Sequence, residues 1–340
     1  MPLRASQPDC KALLRAAIEQ RTSVDNSLVL CSGGRSKRRR SLWSSSRASV
    51  HALLEAGYPR ETDQVLEKAS SRCGGSDEIL VYRYKARFIA SDFRAALQFA
   101  DQLVQSDPAE AQFRYWRGNA YEELKDFSSA LTDYLNSVQL LGEPSSISPQ
   151  NFYDISRMYA ALGRYCDAIT PLETFVFFDP ARRRTAQITK LISEYASKGR
   201  CDVLYAGGSA RVSRLSLPGM TGVNTLIVTI NGVSGNFLLD TGATYVAVTS
   251  NFGLKAKLNM ENAIQLPIKT VGGNIVADLG YAATVNVGAA QGYSVPVAVL
   301  RGSADPFGNR LDGLLGMSFL ARFQLNLSSQ AIELTALPLR

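Results

Sequence analysis

Along residues 44 to 198 the apolar positions keep a helical period. Along residues 210 to 338 the texture changes to short runs rich in Val, Ile, Thr and Gly, which predict strands and turns. Residues 1 to 43 are Ser- and Arg-rich with weak periodicity and read as a poorly ordered basic segment, apart from a short helix over Cys10 to Glu19. Between helices and strands, Gly207-Gly208-Ser209 breaks the pattern. The expected organisation is therefore a basic segment (1–43), helical repeats (44–198), a linker (199–214) and a β-rich domain (215–340).

The helical part repeats. Asp92-Phe93-Arg94-Ala95-Ala96-Leu97, Asp126-Phe127-Ser128-Ser129-Ala130-Leu131 and Arg164-Tyr165-Cys166-Asp167-Ala168-Ile169 align, and their small residues Ala96, Ala130 and Ala168 lie 34 and 38 positions apart. Gly118 and Tyr121 take the small and aromatic places of a preceding helix, while Asp107-Pro108 and Asp179-Pro180 end the second helices. Leu141 to Gln150 supplies the loop that lengthens one spacing, a weaker copy runs from Ser45 to Ser71, and a capping helix is expected over Arg183 to Ser197. This pattern resembles tetratricopeptide (TPR) repeats. One such helix pair cannot bury its own apolar face, so pairs stack, and Phe113, Tyr115, Trp116 and Tyr134 are expected in the core. The groove of the stack offers a surface for a peptide or partner protein; a spacer without ligand is the alternative.

Charge and cysteines narrow the chemistry. The formal net charge is +7, yet residues 213 to 340 hold eight Lys/Arg against six Asp/Glu, so the excess lies upstream, notably in Arg35 to Arg40 with Lys37-Arg38-Arg39-Arg40. A run this short could meet nucleic acid or acidic lipid, but no aromatics interleave with it, so a solvated segment is the expectation and no nucleic-acid partner is expected. Cys10, Cys31, Cys73, Cys166 and Cys201 show no CxxC spacing, so no metal site and no cofactor are expected; a pair such as Cys73 and Cys201 could bridge in an oxidising compartment. The single histidine, His51, argues against a Ser-His-Asp or Cys-His site. No signal peptide and no run of 18 or more apolar residues is visible, which reads as soluble and cytoplasmic on this sequence, or periplasmic if the true start differs.

The β-rich part carries a candidate acid. Val223 to Ile230 predicts a strand, Asn231-Gly232 a hairpin turn, and Gly235 to Leu239 a second strand. That strand runs into Asp240-Thr241-Gly242-Ala243, placing a carboxylate at a loop tip. Gly242 lets backbone N–H groups approach the carboxylate, where a side chain would block them. Thr241 offers a hydroxyl that can tie the loop to a partner loop. Further on, Val271-Gly272-Gly273-Asn274 tips a hairpin spanning Ile264 to Val287, and Leu314-Leu315-Gly316 leads into a short helix, followed by a closing hairpin from Phe323.

The order Asp-Thr-Gly-Ala, glycine-tipped hairpin, apolar-apolar-Gly and helix resembles the retropepsin-like aspartic proteases, in particular bacterial members fused to TPR repeats. The resemblance implies a TPR-like helical solenoid followed by a small closed β-barrel-like acid protease domain. It also implies roles: Asp240 as catalytic carboxylate, Thr241, Gly242 and Ala243 as active-site loop, Val271 to Asn274 (Gly272 and Gly273 above all) as flap, and Leu314, Leu315 and Gly316 as support beneath the loop. Thr244 and Tyr245 stand where many viral members carry acidic residues; Tyr245 is expected to line the site or fill the core.

Peptide hydrolysis of this type needs two carboxyl groups, one as base and one as acid. This chain has a single Asp-Thr-Gly, so the second aspartate is expected from another copy, in a two-fold homodimer. Asp312 is the alternative within the chain, with a role in satisfying backbone donors as the simpler expectation. Asp278 and Asp305 are expected at the surface. The expected function is an aspartic endopeptidase acting on a protein or peptide substrate, with the repeats recruiting substrate or partner; the alternative is a non-catalytic interaction scaffold.

Overall fold

A computed structural model describes residues 50–51, 53–73, 76–142, 144–201, 206–208, 212–216, 225–270, 273–302, 306–307, 311–328 and 331–337. The expected helix at Cys10 to Glu19 and the basic run at Arg35 to Arg40 lie outside them. The described residues fall into two compact units, one within residues 1–108 and 119–125, the other within residues 109–118 and 126–340.

The first unit contains helices α1 (Pro59–Cys73), α2 (Asp77–Ile89) and α3 (Phe93–Ser106). Ser76 caps α2 by accepting from the Ile79 N–H, and Asp92 caps α3 by accepting from the Ala95 N–H, each at 3.3 Å. Val50, Leu53, Val65, Leu66 and Ile79 form one hydrophobic cluster of its core. Buried Asp63 accepts from Arg83 Nε at 2.8 Å and from Arg87 Nη2, because a carboxylate removed from water needs cationic donors around it.

The second unit takes α4 (Ala111–Glu123) as far as Gly118, then α5 (Phe127–Leu141), a 3-10 turn at Pro144–Ser146, α6 (Pro149–Ala161), α7 (Tyr165–Phe177), the one-turn α8 (Pro180–Arg183) and α9 (Ala186–Gly199). The repeat is visible in the backbone. Ser91, Lys125 and Gly163 have φ of 59°, 65° and 74°. The next residues, Asp92, Asp126 and Arg164, have φ of −87°, −85° and −88°. Ala96, Ala130 and Ala168 are completely buried. Gly118 faces the ring of Tyr134, where a Cβ would come to 2.7 Å. Tyr134 is core, as expected, but Phe113, Tyr115 and Trp116 are only half-buried; the Tyr115 hydroxyl instead donates to Asp154 at 2.8 Å. Cys166, at the start of α7, is disulfide-bonded to Cys201, just beyond α9. Cys201 thus pairs with a residue of the last repeat and not with Cys73, and the bond ties the capping helix to that repeat.

The β-rich residues close into a barrel of six strands: β3 (Thr225–Ile230), β4 (Val233–Leu239), β5 (Val246–Thr249), β7 (Gly273–Val287), β8 (Ala290–Leu300) and β9 (Gly313–Leu315). Around the barrel the order is β8-β5-β9-β4-β3-β7, and β7 pairs back to β8. Three-residue β9 is threaded between β4, to which it is parallel, and β5, to which it is antiparallel. β6 (Asn259–Thr270) extends β7 and β1 (Ala206–Gly208) extends β8. A second sheet joins β2 (Val212–Ser216), β11 (Ala331–Ala336) and β10 (Phe323–Leu327). Short helices α10 (Ser250–Lys255) and α11 (Met317–Leu320) pack on the barrel. Alternate residues Leu226, Val228 and Ile230 point inward to meet Phe237, Val248, Val285, Val297, Leu315 and Phe319. Asn231 and Gly232 both take positive φ, 48° and 85°, as a two-residue hairpin turn demands. The fold is thus TPR-like helical pairs followed by a closed mixed β-barrel of retropepsin type. Strand β1 and the start of β2 fall in the stretch expected as linker, where Gly207 and Gly208 pair with Gln291 and Ala290.

Candidate active site

Asp240 stands where β4 ends. Phe237, Leu238 and Leu239 pair in parallel with Gly313, Leu314 and Leu315, and the Asp240 N–H continues the ladder by donating to the Leu315 carbonyl at 3.1 Å. The chain then turns: the Gly242 N–H donates to Asp240 Oδ1 at 2.9 Å, and the Ala243 N–H to the Asp240 carbonyl at 3.3 Å. The half-buried carboxylate therefore rests on a backbone donor of its own loop. Gly316 and α11 hold that loop from below. The N–H groups of Met317 and Ser318 donate to the carbonyls of Ala243 and Thr244 at 2.8 and 3.0 Å, and the Val246 N–H donates to Ser318 Oγ at 2.9 Å. A Cβ on Gly316 would press on the carbonyl oxygens of Tyr245 and Ala243.

Asp240, Thr241, Gly242, Ala243, Leu314, Leu315 and Gly316 are thus brought together. The hairpin β6/β7 is formed, with Thr270 opposite Gly273 and Lys269 opposite Asn274; Val271 and Gly272 lie outside the described residues. Asp312 sits at the other end of the β4/β9 ladder. Its Oδ2 accepts from the Asn236 N–H at 2.9 Å, its own N–H donates to the Asn236 carbonyl at 2.8 Å, and its carbonyl accepts from the Thr249 N–H. Four residues of strand, roughly 13 Å, separate Asn236 from Asp240, so Asp312 serves backbone donors away from the loop. Asp278 forms a two-pronged ion pair with Arg301. Among the described residues no group of three His, Cys, Asp or Glu could hold a metal ion, and no helix is long and apolar enough to cross a membrane.

Tyr245, five residues after the acid, is buried. It lines a cavity of about 30 Å³ together with Thr244 and Pro296 of the barrel and Tyr159, Asp167 and Thr170 of the helices. Nearby, Arg164 Nη2 donates to Tyr281 Oη and Arg164 Nε to Asp167 Oδ2 at 2.8 Å. The guanidinium lies over both rings, 4.8 Å from the Tyr159 centroid and 5.0 Å from that of Tyr281. Burial, followed by the charge of Asp167, pushes the Tyr281 phenol up to about 12. Burial likewise raises Tyr245 and Tyr159, and Asp167, although Arg164 pulls the last back. Burial lowers the Arg164 guanidinium, but Tyr281 and Asp167 more than reverse this. This cluster escaped the sequence reading; its one signal was an arginine where the other two repeats hold Asp92 and Asp126.

Residues 226–319 match the family model described as aspartyl protease. A retropepsin-like aspartic protease from Rickettsia conorii is 22% identical, with a TM-score of 0.29, over 38% of this chain and 96% of that one. MamA from Desulfovibrio magneticus is 17% identical, with a TM-score of 0.41, over 48% of this chain and 86% of its own. A thermophilic TPR protein in Thermus thermophilus is 13% identical, with a TM-score of 0.34, over 55% and 97%. Among curated proteins none matches the chain. The match to the aspartyl protease family thus falls on the barrel, residues 226–319, and TPR-like helices precede it.

Proposed function

We propose that this protein is an aspartic endopeptidase that hydrolyses peptide bonds of a protein substrate, using Asp240 from two copies of the chain. The observation that carries the reading is the Asp240 loop itself. It presents a carboxylate at the end of a barrel strand, steadied by the Gly242 N–H and hung from the Leu315 carbonyl.

In the proposed reaction a water lies between two Asp240 side chains. One carboxylate takes a proton from the water as its oxygen attacks the peptide carbonyl, while the other, protonated, donates its proton to the carbonyl oxygen. The gem-diol intermediate collapses as a proton passes to the amide nitrogen, the C–N bond breaks, and no covalent adduct with the enzyme forms. Asp312, whose carboxylate accepts from the Asn236 N–H, favours the reading in which a partner copy supplies the second acid. In this reading the β6/β7 hairpin closes over the substrate, Leu314, Leu315 and Gly316 keep the loop in place, and the helical groove receives the substrate or a partner protein. The Cys166–Cys201 disulfide favours an oxidising compartment such as a periplasm. Cleavage of an unfolded protein, compared between the wild type and Asp240→Asn, tests the assignment.

A further inference from the structure

The three aligned repeats share one backbone turn but not one chemistry. At the position after the positive-φ residue, Asp92 and Asp126 cap their helices, accepting from the N–H groups of Ala95 and Ser129. Arg164 adopts the same φ and ψ, −88° and 59° against −85° and 73° at Asp126, yet makes no side-chain cap. An arginine at a helix N-terminus forgoes the cap and opposes the helix dipole. What it gains is the barrel: its guanidinium binds Tyr281 on β7 and packs against the ring of that residue.

The contact is not isolated. Helix α5 packs along β6, so the same helices brace both strands of the β6/β7 hairpin. Phe177 and Phe178, at the end of α7, pack against the barrel core. Thr244 and Tyr245, which continue the Asp240 loop, share a cavity wall with Tyr159 and Asp167. Helices therefore touch the loop that carries the acid and the hairpin that would cover it.

We propose that Arg164 is a positioning residue for the Asp240 loop. By clasping Tyr281 and seating Tyr159 beside Tyr245, it makes the last helical pair a structural part of the peptidase and not only a tethered recruiter. The proposal rests on the peptidase reading above. The test is steady-state cleavage of unfolded casein by the full chain carrying Arg164→Asn with Asp167→Asn. That pair keeps a capping side chain and leaves no unpaired buried acid. Tyr281→Phe is the second variant, which removes only the acceptor on the barrel side. Positioning lowers kcat by about tenfold or more with KM within about threefold, in both variants. A rise in KM at unchanged kcat, the signature of lost recruitment, would overturn it, as would full activity in both variants. Should the double variant fold poorly, a specific protease site introduced at residues 209–211 of the full chain gives a second reading. Nicked wild-type halves are expected to co-elute, and halves carrying Tyr281→Phe to part more readily; wild-type halves that separate overturn the clasp. A wild type without Asp240-dependent cleavage instead sinks the peptidase reading itself, a result distinct from variants that cut normally.

Discussion

The backbone of Asp240 is bonded to that of Leu315: the Asp240 N–H donates to the Leu315 carbonyl at 3.1 Å, in register with the parallel pairing of Leu239 and Leu315. The candidate acid thus inherits the rigidity of a buried strand 75 residues further along the chain, and everything that holds β9 in place also aims Asp240.

Gly313→Ala and Gly316→Ala follow directly from that threading. A Cβ at 313 would meet the Ala247 carbonyl and the Phe237 ring, and at 316 the carbonyls of Tyr245 and Ala243. Backbone cannot yield as a side-chain tip does, so each variant is expected to lose about 2–3 kcal/mol or more. Urea titration followed by far-UV circular dichroism measures this; a midpoint within error of wild type for either variant would show that the loop and β9 are not so closely packed.

Gly232→Ala tests the hairpin turn separately. Nothing lies within 4 Å of the added Cβ, but φ is +85°, so the cost is conformational, about 1 kcal/mol. Asn231→Ala additionally loses the bonds from its Nδ2 to the Ala256 carbonyl and from the Thr284 N–H to its Oδ1. It should therefore cost more than Gly232→Ala in the same titration, and the reverse order would contradict the account.

How much of this was readable follows from scale. The Asn-Gly turn, the buried Ala96, Ala130 and Ala168, and the strand leading into Asp240 rest on local rules, so the sequence showed them. A three-residue strand such as β9 has no periodicity to read, and its place between β4 and β5 is a matter of topology. Gly207 and Gly208 read as linker because nothing local announces the β8 edge they pair with. The partner of Cys201 depended on how α9 folds back on α7, and the burial of Tyr245 on helices more than 70 residues upstream.

The disulfide should be measurable in both structure and stability. Closing a loop across 35 residues of separation, it is expected to contribute about 2–4 kcal/mol by restricting the unfolded chain. Alkylation without reduction should leave Cys166 and Cys201 unlabelled in protein from an oxidising compartment, and a reductant should lower the Tm. Ready labelling of both residues in the folded protein would refute the bond.

Self-association follows from one acid per chain. Specific activity should fall on dilution as copies separate, and an excess of Asp240→Asn chains mixed into wild type should poison it through pairs that hold one competent acid. Specific activity constant down to concentrations where sedimentation shows monomer would require a second acid within the chain.

Hydrolysis by Asp240 is tested by the rate of cleavage of an unfolded protein by Asp240→Asn beside wild type. The amide can still accept from the Gly242 N–H through its oxygen, so the loop should keep its fold, but it cannot take a proton from water. The account predicts an unchanged circular dichroism spectrum and a loss of cleavage of about a thousandfold or more. Cleavage by Asp240→Asn within a few-fold of wild type, or none by either protein, would contradict it and leave the chain an interaction scaffold with a protease-like barrel.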